Sequence, residues 1–540
     1  MLDIKIVGGT VADGLCSRAY RADIGISGDK IAVIGRLGDT PAAQVINAQG
    51  KVVAPGFIDI HTHSDMSLLY DPKASSKIRD GVTTEVIGNC GIGAAPVCGQ
   101  RRQELIAYLG TRLVGTIPVA LELPWNTMGE YLAAFDSRPP AVNVAPLAAQ
   151  GALRISEMGF SDARPTAQQM EHMKDALRAA LDEGCFGMSS GLVYMPGQYS
   201  TADELAGLCS VMAGSGRFYV THMRSESDDL FDALEEAIGT AVKGGVPLHI
   251  SHLKLAGAGV RGRTEQLFAR LDRARAQGLD LTFDAYPYAC GCTSLGACMP
   301  PWAFEGGTDK MLARLEEPAL RARIRRDIEN GLPGWQNFAR ACGSFENITI
   351  ASAVTEAGQA LLGKTLGRIA GEWGMDPYTC MYEILRQERG RVQIITKMMS
   401  EEDVDAIVAH PDSMIGSDGQ SLSTEGIMSS GRPHPRAFGT RARVLARYVR
   451  EKKLFSLEEA VKKMAARPAA RLGLSGRGVL VEGGFADVVV FDPLLVQDNA
   501  DYENPKQYST GFDAVIVNGR AALENGRELC AFSGRVLRAQ

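Results

Sequence analysis

Eight short runs of apolar and β-branched residues, set apart by helical patterns, restrict the fold of this chain more than any other feature. They occupy 56–60, 83–90, 143–147, 185–192, 217–222, 246–252, 279–285 and 413–418. Runs of this length, bounded by Gly, Pro or Asp, read as buried strands. Between them apolar residues recur at helical spacing, as in Leu230, Leu234, Ile238 and Val242, and in Leu267 with Leu271. Strands alternating with helices imply a parallel sheet, and eight is the strand number of a (β/α)8 TIM-like barrel. In that α/β fold the chemistry sits at the carboxyl ends of the strands.

The two ends of the chain follow a different pattern. Residues 1–54 alternate apolar and polar through Ile4, Ile6, Ala22, Ile24, Ile26, Ile31 and Val33, with Gly8-Gly9, Asp13-Gly14 and Gly28-Asp29 as punctuation. GVLVEGGFADVVVFD and FDAVIVN repeat the pattern near the far end. Residues 1–54 plus 472–540 are therefore expected to build one small β-sandwich, flanking a barrel over 55–471. Within the barrel, 300–346 is rich in Trp, Arg and Glu, with a turn at Pro333-Gly334, and is expected to be a subdomain inserted at the rim. A length of 540 residues fits this division into one large and one smaller domain.

Composition narrows the partners. A formal net charge of −6 without a basic block argues against nucleic-acid binding. No apolar run approaches the ~20 residues of a membrane span. The opening MLDIKIVGGTVADG reads as a strand and turn rather than a signal peptide. Eleven scattered cysteines with no CxxC pair point to reduced thiols in the cytoplasm, and Cys16, Cys209 and Cys380 are expected to be core residues. The sequence carries no signal of oligomeric state.

The strand ends hold the candidate chemistry. His61 and His63 are two apart, so on a strand their side chains project to one side, where two imidazoles can share an ion. His222 and His252 each follow a β-branched run, which puts half of the eight histidines at strand ends. His249, three residues before His252, is expected on the opposite face in a structural role, and His172 and His410 on the surface. Cys90 could be an ordinary buried thiol, but its place beside the histidines favours a metal ligand, and zinc would deprotonate it. Asp418 could be a turn residue before Gly419. At the end of the last strand it is better read as a general base.

These segments resemble the amidohydrolase superfamily and, more closely, its D-aminoacylase (N-acyl-D-amino-acid deacylase) family. The resemblance rests on APGFIDIHTHSD, GVTTEVIGNCGIGAAP, GMSSGLVYMPGQYS, THMRSES, HISHLKLAG, DAYPY, GSDG, RPHPRAFGT and GFADVVVFDP, which span nearly the whole chain. It implies a tight zinc site of Cys90, His222 and His252, and a second, weaker metal held by His61, His63 and Asp418. The bridging lysine of many relatives is not expected, because 187–191 contains none; Cys90 takes its place.

The implied reaction is hydrolysis of a small molecule, an N-acyl-D-amino acid, to a carboxylate and a free D-amino acid. Metal lowers the pKa of a bound water toward ~7. The resulting hydroxide attacks the amide carbonyl, with Asp418 as proton acceptor and then donor. Arg436 matches the family arginine that clamps the substrate carboxylate, and Lys254 and Tyr286, rather than Tyr288, would assist. The long segment QSLSTEGIMSSGRPHP is expected to border the side-chain pocket, with Arg432 reaching an acidic substrate side chain. Two alternatives stand beside this reading. One is a cyclic-amide hydrolase of the hydantoinase or dihydroorotase kind, which usually carries the bridging lysine. The other is a non-catalytic amidohydrolase-fold binding protein, which would tend to lose metal ligands.

Overall fold

The closed ring of strands is complete. A computed structural model describes residues 1–16, 18–112 and 120–539. Among the described residues the barrel strands are β1 (Phe57–Asp59), β2 (Val82–Ile87), β3 (Asn143–Pro146), β4 (Gly187–Gly191), β5 (Phe218–His222), β6 (Leu248–Ile250), β7 (Leu281–Ala285) and β8 (Ser413–Ile415). β1, β2 and β3 pair in parallel, as do β4 through β8. At the seam between β3 and β4, the Phe186 amide donates to Pro146 O at 2.9 Å, and Ala148–Ala149 pairs with β4. At the seam between β8 and β1, Asp418 N donates to His61 O at 2.8 Å and His63 N to Gly419 O at 3.0 Å. Closing the ring therefore joins the histidine pair to Asp418 through the backbone alone.

Alternation along the strands fills the barrel. Ile58, Ile60, Val86, Ala145, Leu147, Phe186, Phe218, Val220 and Met414 pack together in its interior, with Ala469 and Leu472 from helix Arg467–Leu472. The outer helices bury the stripes predicted for them, with one departure. In helix Leu230–Gly244, Leu230 and Leu234 are buried but Val242 is 62% exposed. Each four-residue step advances about 40° around a helix, so three steps carry Val242 out of the stripe and Ala241 takes the inward place.

Both chain ends build one folded-over sheet of nine strands among the described residues. Strand Val52–Pro55 lies at its centre, parallel to Leu2–Val11 on one side and antiparallel to Val488–Phe491 on the other. Ile4, Ile6, Ile24, Ile26, Val488, Val490 and Ile516 fill the fold. Ile31 N to Gly484 O, at 2.9 Å, and Gly483 N to Ile31 O, at 2.8 Å, tie the edge strand Lys30–Gly35 to the segment that leads into Val488–Phe491.

Two boundaries differ from those read in the sequence. The last residues do not stay in the small sheet. Val144 N donates to Arg535 O at 2.9 Å, Leu537 N to Val144 O at 2.8 Å and Ala539 N to Gly184 O at 3.0 Å, so the tail covers backbone groups of the barrel. The inserted subdomain is also wider than 300–346. Strands Cys290–Ser294, Gln393–Lys397 and Ile348–Ser352 form an antiparallel sheet, so the excursion between β7 and β8 reaches at least from 290 to 397. Composition marked only its helical part, because CGCTS has none of the apolar alternation of a strand. Cys16 is exposed, unlike Cys209 and Cys380, because it lies in a turn held by Asp13 rather than in an element.

Candidate metal centre

Five strand ends deliver the ligand candidates to one point. Cys90 Sγ lies 3.3 Å from His61 Nε2 and 3.3 Å from His252 Nε2. The donor atoms of Cys90, His222 and His252 lie within 4.8 Å of one another, as do those of His61, His63 and Cys90, and those of His61, His252 and Asp418. Asp418 Oδ1 is 3.1 Å from His63 Nε2 and 3.6 Å from His61 Nε2. One thiol, four imidazoles and a carboxylate thus form three overlapping sets, two of them sharing Cys90 and joined to the third through His61 and His252. This donor chemistry fits zinc. Nδ1 of His222 is buried without a partner, and its Nε2 reaches Glu226 Oε2 only at 3.4 Å, a poorly satisfied imidazole that suits a ligand.

Residues behind the cluster fix which nitrogen faces it. Asp284 Oδ2 lies 3.2 Å from His61 Nδ1, and Glu226 Oε1 lies 2.9 Å from His252 Nδ1. Each carboxylate turns Nε2 of its histidine inward, the arrangement that orients metal-ligating imidazoles. Lys254 Nζ joins the second pair, 2.6 Å from Glu226 Oε1. Burial opposes ionisation of both carboxylates, but His61 and His249 outweigh it at Asp284, and His222, Lys254 and His252 outweigh it at Glu226. Both are held below the usual range. Burial would likewise raise the Cys90 thiol, yet the charges of His61 and His252 pull it well below its ordinary value.

Asp284 and Glu226 were not singled out in the sequence. Their signal lay in position, since Asp284 is the penultimate residue of β7 and Glu226 is four residues after His222. His249 is also placed differently from the expectation. Its Nε2 contacts Asp284 Oδ2 at 3.0 Å and its Nδ1 contacts Thr282 at 2.7 Å, inside the barrel beneath the cluster. Alternation fails between His249 and His252 because β6 ends at Ile250 and His252 adopts φ 34°. His172 is exposed and contacts Glu157 at 3.2 Å, while His410 is half-buried against Phe268 and Phe283.

Cys90 (φ 53°), His252 (φ 34°) and Asp418 (φ 50°) all sit in the left-handed region that L residues avoid. Such strain persists only where surroundings over-determine the backbone. For Asp418 a buried ion network does this. Asp59 accepts from Ser417 N at 2.8 Å and from Ser417 Oγ at 2.6 Å, and it is held by Lys77 at 2.8 Å and Arg441 at 2.8 Å. For Cys90 the support is β4, which packs closely on its turn. Ser189 Oγ accepts from Gly91 N at 3.0 Å and donates to the carbonyl of Gly88. A Cβ at Gly191 would stand 2.0 Å from Cys90 O. Gly191→Ala is accordingly expected to push the Cys90 turn out of register, lowering zinc affinity by about 10–100-fold, as measured by competition with a chromogenic chelator.

A cavity opens over Asp418 and His63. One wall is the inserted sheet, through Cys292, Thr293, Ser294, Ala351, Ser352 and Gln393; the other is the segment after Asp418, through Gln420, Leu422, Pro433 and His434. Arg436 lines it, with Nη1 2.7 Å from Asp418 Oδ2 and its guanidinium 4.7 Å from the centre of the Tyr286 ring. Burial raises the Asp418 carboxyl, but Arg436 and His252 more than offset this and hold it well below the usual range. His434 is buried, and burial with the nearby Arg436 charge keeps it neutral. It accepts from Arg436 N at 3.0 Å on Nδ1 and reaches Cys290 O at 3.0 Å through Nε2, so it fixes the start of helix Arg436–Arg443.

Lys254 and Tyr286 lie side by side behind His252, with Nζ 5.5 Å from the ring centre. Tyr288 is turned toward Arg443 instead. Arg432 does not face the cavity. Its guanidinium packs on Gly363 and donates to the Glu503 carbonyl, because Arg432 N is anchored to Ala351 O at 2.7 Å and the side chain leaves on the outer side. Tyr194 and Arg112, unremarked in the sequence, do line the cavity.

Among the described residues no helix is long and apolar enough to cross a membrane. Residues 44–522 match the amidohydrolase family. An N-acyl-D-glutamate deacylase of Alcaligenes xylosoxydans xylosoxydans is 35% identical over 97% of this chain and 94% of its own. A D-aminoacylase of the same organism is 35% identical over 99% and 97%. The crystal structure of an N-acyl-D-glutamate deacylase from Bordetella bronchiseptica, complexed with zinc and a phosphonate mimic of the tetrahedral intermediate, superposes with a TM-score of 0.82 at 35% identity, covering both chains completely. With its barrel, its cysteine-containing ligand cluster and these full-length likenesses, the chain belongs to the D-aminoacylase branch of the amidohydrolase family.

Proposed function

We propose that this chain is a zinc-dependent hydrolase of linear amides, an N-acyl-D-amino-acid deacylase that releases a carboxylate and a free D-amino acid. The observation that carries the reading is the convergence of Cys90, His222 and His252 beside His61, His63 and Asp418. Cys90, His222 and His252 would hold zinc tightly, and His61, His63 and Asp418 a second, weaker ion. Bound zinc polarises an amide carbonyl and acidifies water. Asp418 takes the proton of the attacking water as the C–O bond forms. It then delivers that proton to the departing nitrogen as the C–N bond breaks, so one carboxyl group serves as base and then acid.

Arg436, at the cavity wall, is placed to receive the α-carboxylate as a two-pronged donor. Tyr286 lies beneath its guanidinium and fixes its plane. Lys254, 2.7 Å from His252 Nδ1 and 2.6 Å from Glu226 Oε1, steadies His252, a role added to the substrate contact expected of it. Eleven free cysteines and the acidic net charge support a cytoplasmic enzyme acting on small molecules rather than nucleic acid.

The test is metal analysis together with hydrolysis of paired N-acetyl-D- and N-acetyl-L-amino acids and of a hydantoin. Tightly bound zinc and turnover of D-isomers are expected. Turnover of the L-isomers alone, or of the hydantoin alone, would sink the reading.

A further inference from the structure

Arg112 is the last described residue of helix Arg102–Arg112. The side chain turns into the cavity beside the metal centre, its guanidinium 4.3 Å from the centre of the Tyr194 ring and donating to Ser294 Oγ on the inserted sheet. Tyr194 in turn stands edge-on to His222, with ring centres 5.3 Å apart. Arg112 is thus one aromatic ring away from a zinc-ligand candidate.

No carboxylate pairs with this guanidinium among the described residues, and 113–119, the segment that follows it, contains no Asp or Glu. Its Nε is buried without a hydrogen bond, and burial pushes its pKa down. The charged residues of the cavity wall are Arg112, Arg436 and Asp418, and Asp418 already lies 2.7 Å from Arg436. Among the described residues this half-buried guanidinium meets ring faces and one hydroxyl, and its buried, unpaired Nε is a cost that a bound anion would relieve.

We propose that Arg112 is the side-chain specificity residue of this enzyme and selects N-acyl-D-amino acids with an acidic side chain. The inference rests on the deacylase reading above and adds the substrate class to it. A dicarboxylate substrate spans the cavity, its α-carboxylate on Arg436 and its side-chain carboxylate on Arg112, with the amide between them over the metal. Equal 35% identity to an N-acyl-D-glutamate deacylase and to a D-aminoacylase leaves this choice open; the guanidinium decides it. Arg432, the arginine that the sequence brought forward for this task, faces the other way.

The experiment compares N-acetyl-D-glutamate with its neutral isostere N-acetyl-D-glutamine and with N-acetyl-D-methionine, on zinc-loaded wild-type enzyme and on Arg112→Met and Arg112→Lys. Wild type is expected to prefer the glutamate over the glutamine substrate by about 30-fold or more in kcat/KM, the scale of one buried charge-assisted pair. Arg112→Met should lose that preference, chiefly through KM, and Arg112→Lys should keep part of it. Equal treatment of glutamate and glutamine substrates by wild type overturns the assignment, even if Arg112→Met fails to fold. So does a folded Arg112→Met that loses the same factor on all three. Turnover of the methionine but not the glutamate substrate removes only the role of Arg112. Turnover of none of them removes the deacylase reading as well.

Discussion

Replacing Cys90 with alanine is expected to strip the enzyme of zinc and of activity together. The thiol is the only soft anionic donor in the cluster. It faces both His61 and His252 at 3.3 Å, so its loss opens both ligand sets at once. Loss of a partner behind a ligand typically lowers metal affinity by 10–100-fold, and loss of the ligand itself should exceed about 100-fold. The Lewis acidity forfeited amounts to several kcal/mol of transition-state stabilisation, which at about 1.4 kcal/mol per tenfold is a fall in kcat/KM of at least about 10³. The fold should survive, because the change removes one buried sulfur and no backbone contact. Serine should do no better, since its hydroxyl stays protonated where the thiol does not. Metal content after dialysis, read beside kcat/KM and the unfolding temperature, separates the outcomes. A Cys90→Ala enzyme that keeps stoichiometric zinc and full turnover would remove the cysteine from the centre.

Asp418→Asn is expected to leave the Cys90, His222 and His252 ion in place while turnover falls by about 10²–10⁴-fold, the usual scale for losing a general acid or base. Asparagine keeps the size and the hydrogen-bonding oxygen but cannot accept a proton. The predicted split is therefore a large loss in kcat with near-normal tight zinc. The weaker ion, which needs the carboxylate beside His61 and His63, should become harder to load. Arg436 would also lose its 2.7 Å partner and become freer to hold the substrate carboxylate, so KM should fall or stay level. A variant that keeps wild-type kcat would show that the proton moves by another route.

Much of this architecture was legible because the barrel repeats one local rule eight times. Most of the strands announce themselves by a short apolar or β-branched run, and each candidate ligand comes at or just after a run's end. That made His61, His63, Cys90, His222, His252 and Asp418 visible without coordinates. What stayed hidden depended on long-range contacts. Asp284 and Glu226 look like any acidic residue until His61 and His252 are seen turned by them. His249 was misplaced because alternation stops where a strand does, and β6 stops at Ile250. The inserted sheet escaped notice because Cys290–Ser294 is made of small residues whose only strand signal is the partner across from them. The two arginines show the same limit. Arg432 lies in a suggestive loop yet turns outward, while Arg112 lies in an unremarkable helical stretch and turns in.

The central place of Val52–Pro55 in the terminal sheet has a consequence for biosynthesis. One neighbour, Leu2–Val11, has already left the ribosome when this strand emerges, but the other begins at Val488. At ~5–20 residues per second the wait is about 20–90 s. Throughout it, one apolar edge stands open to any passing strand. Nascent chains of this protein therefore need sheltering until Val488–Phe491 has been made, and premature termination anywhere in the barrel leaves a sticky N-terminal half-sheet behind.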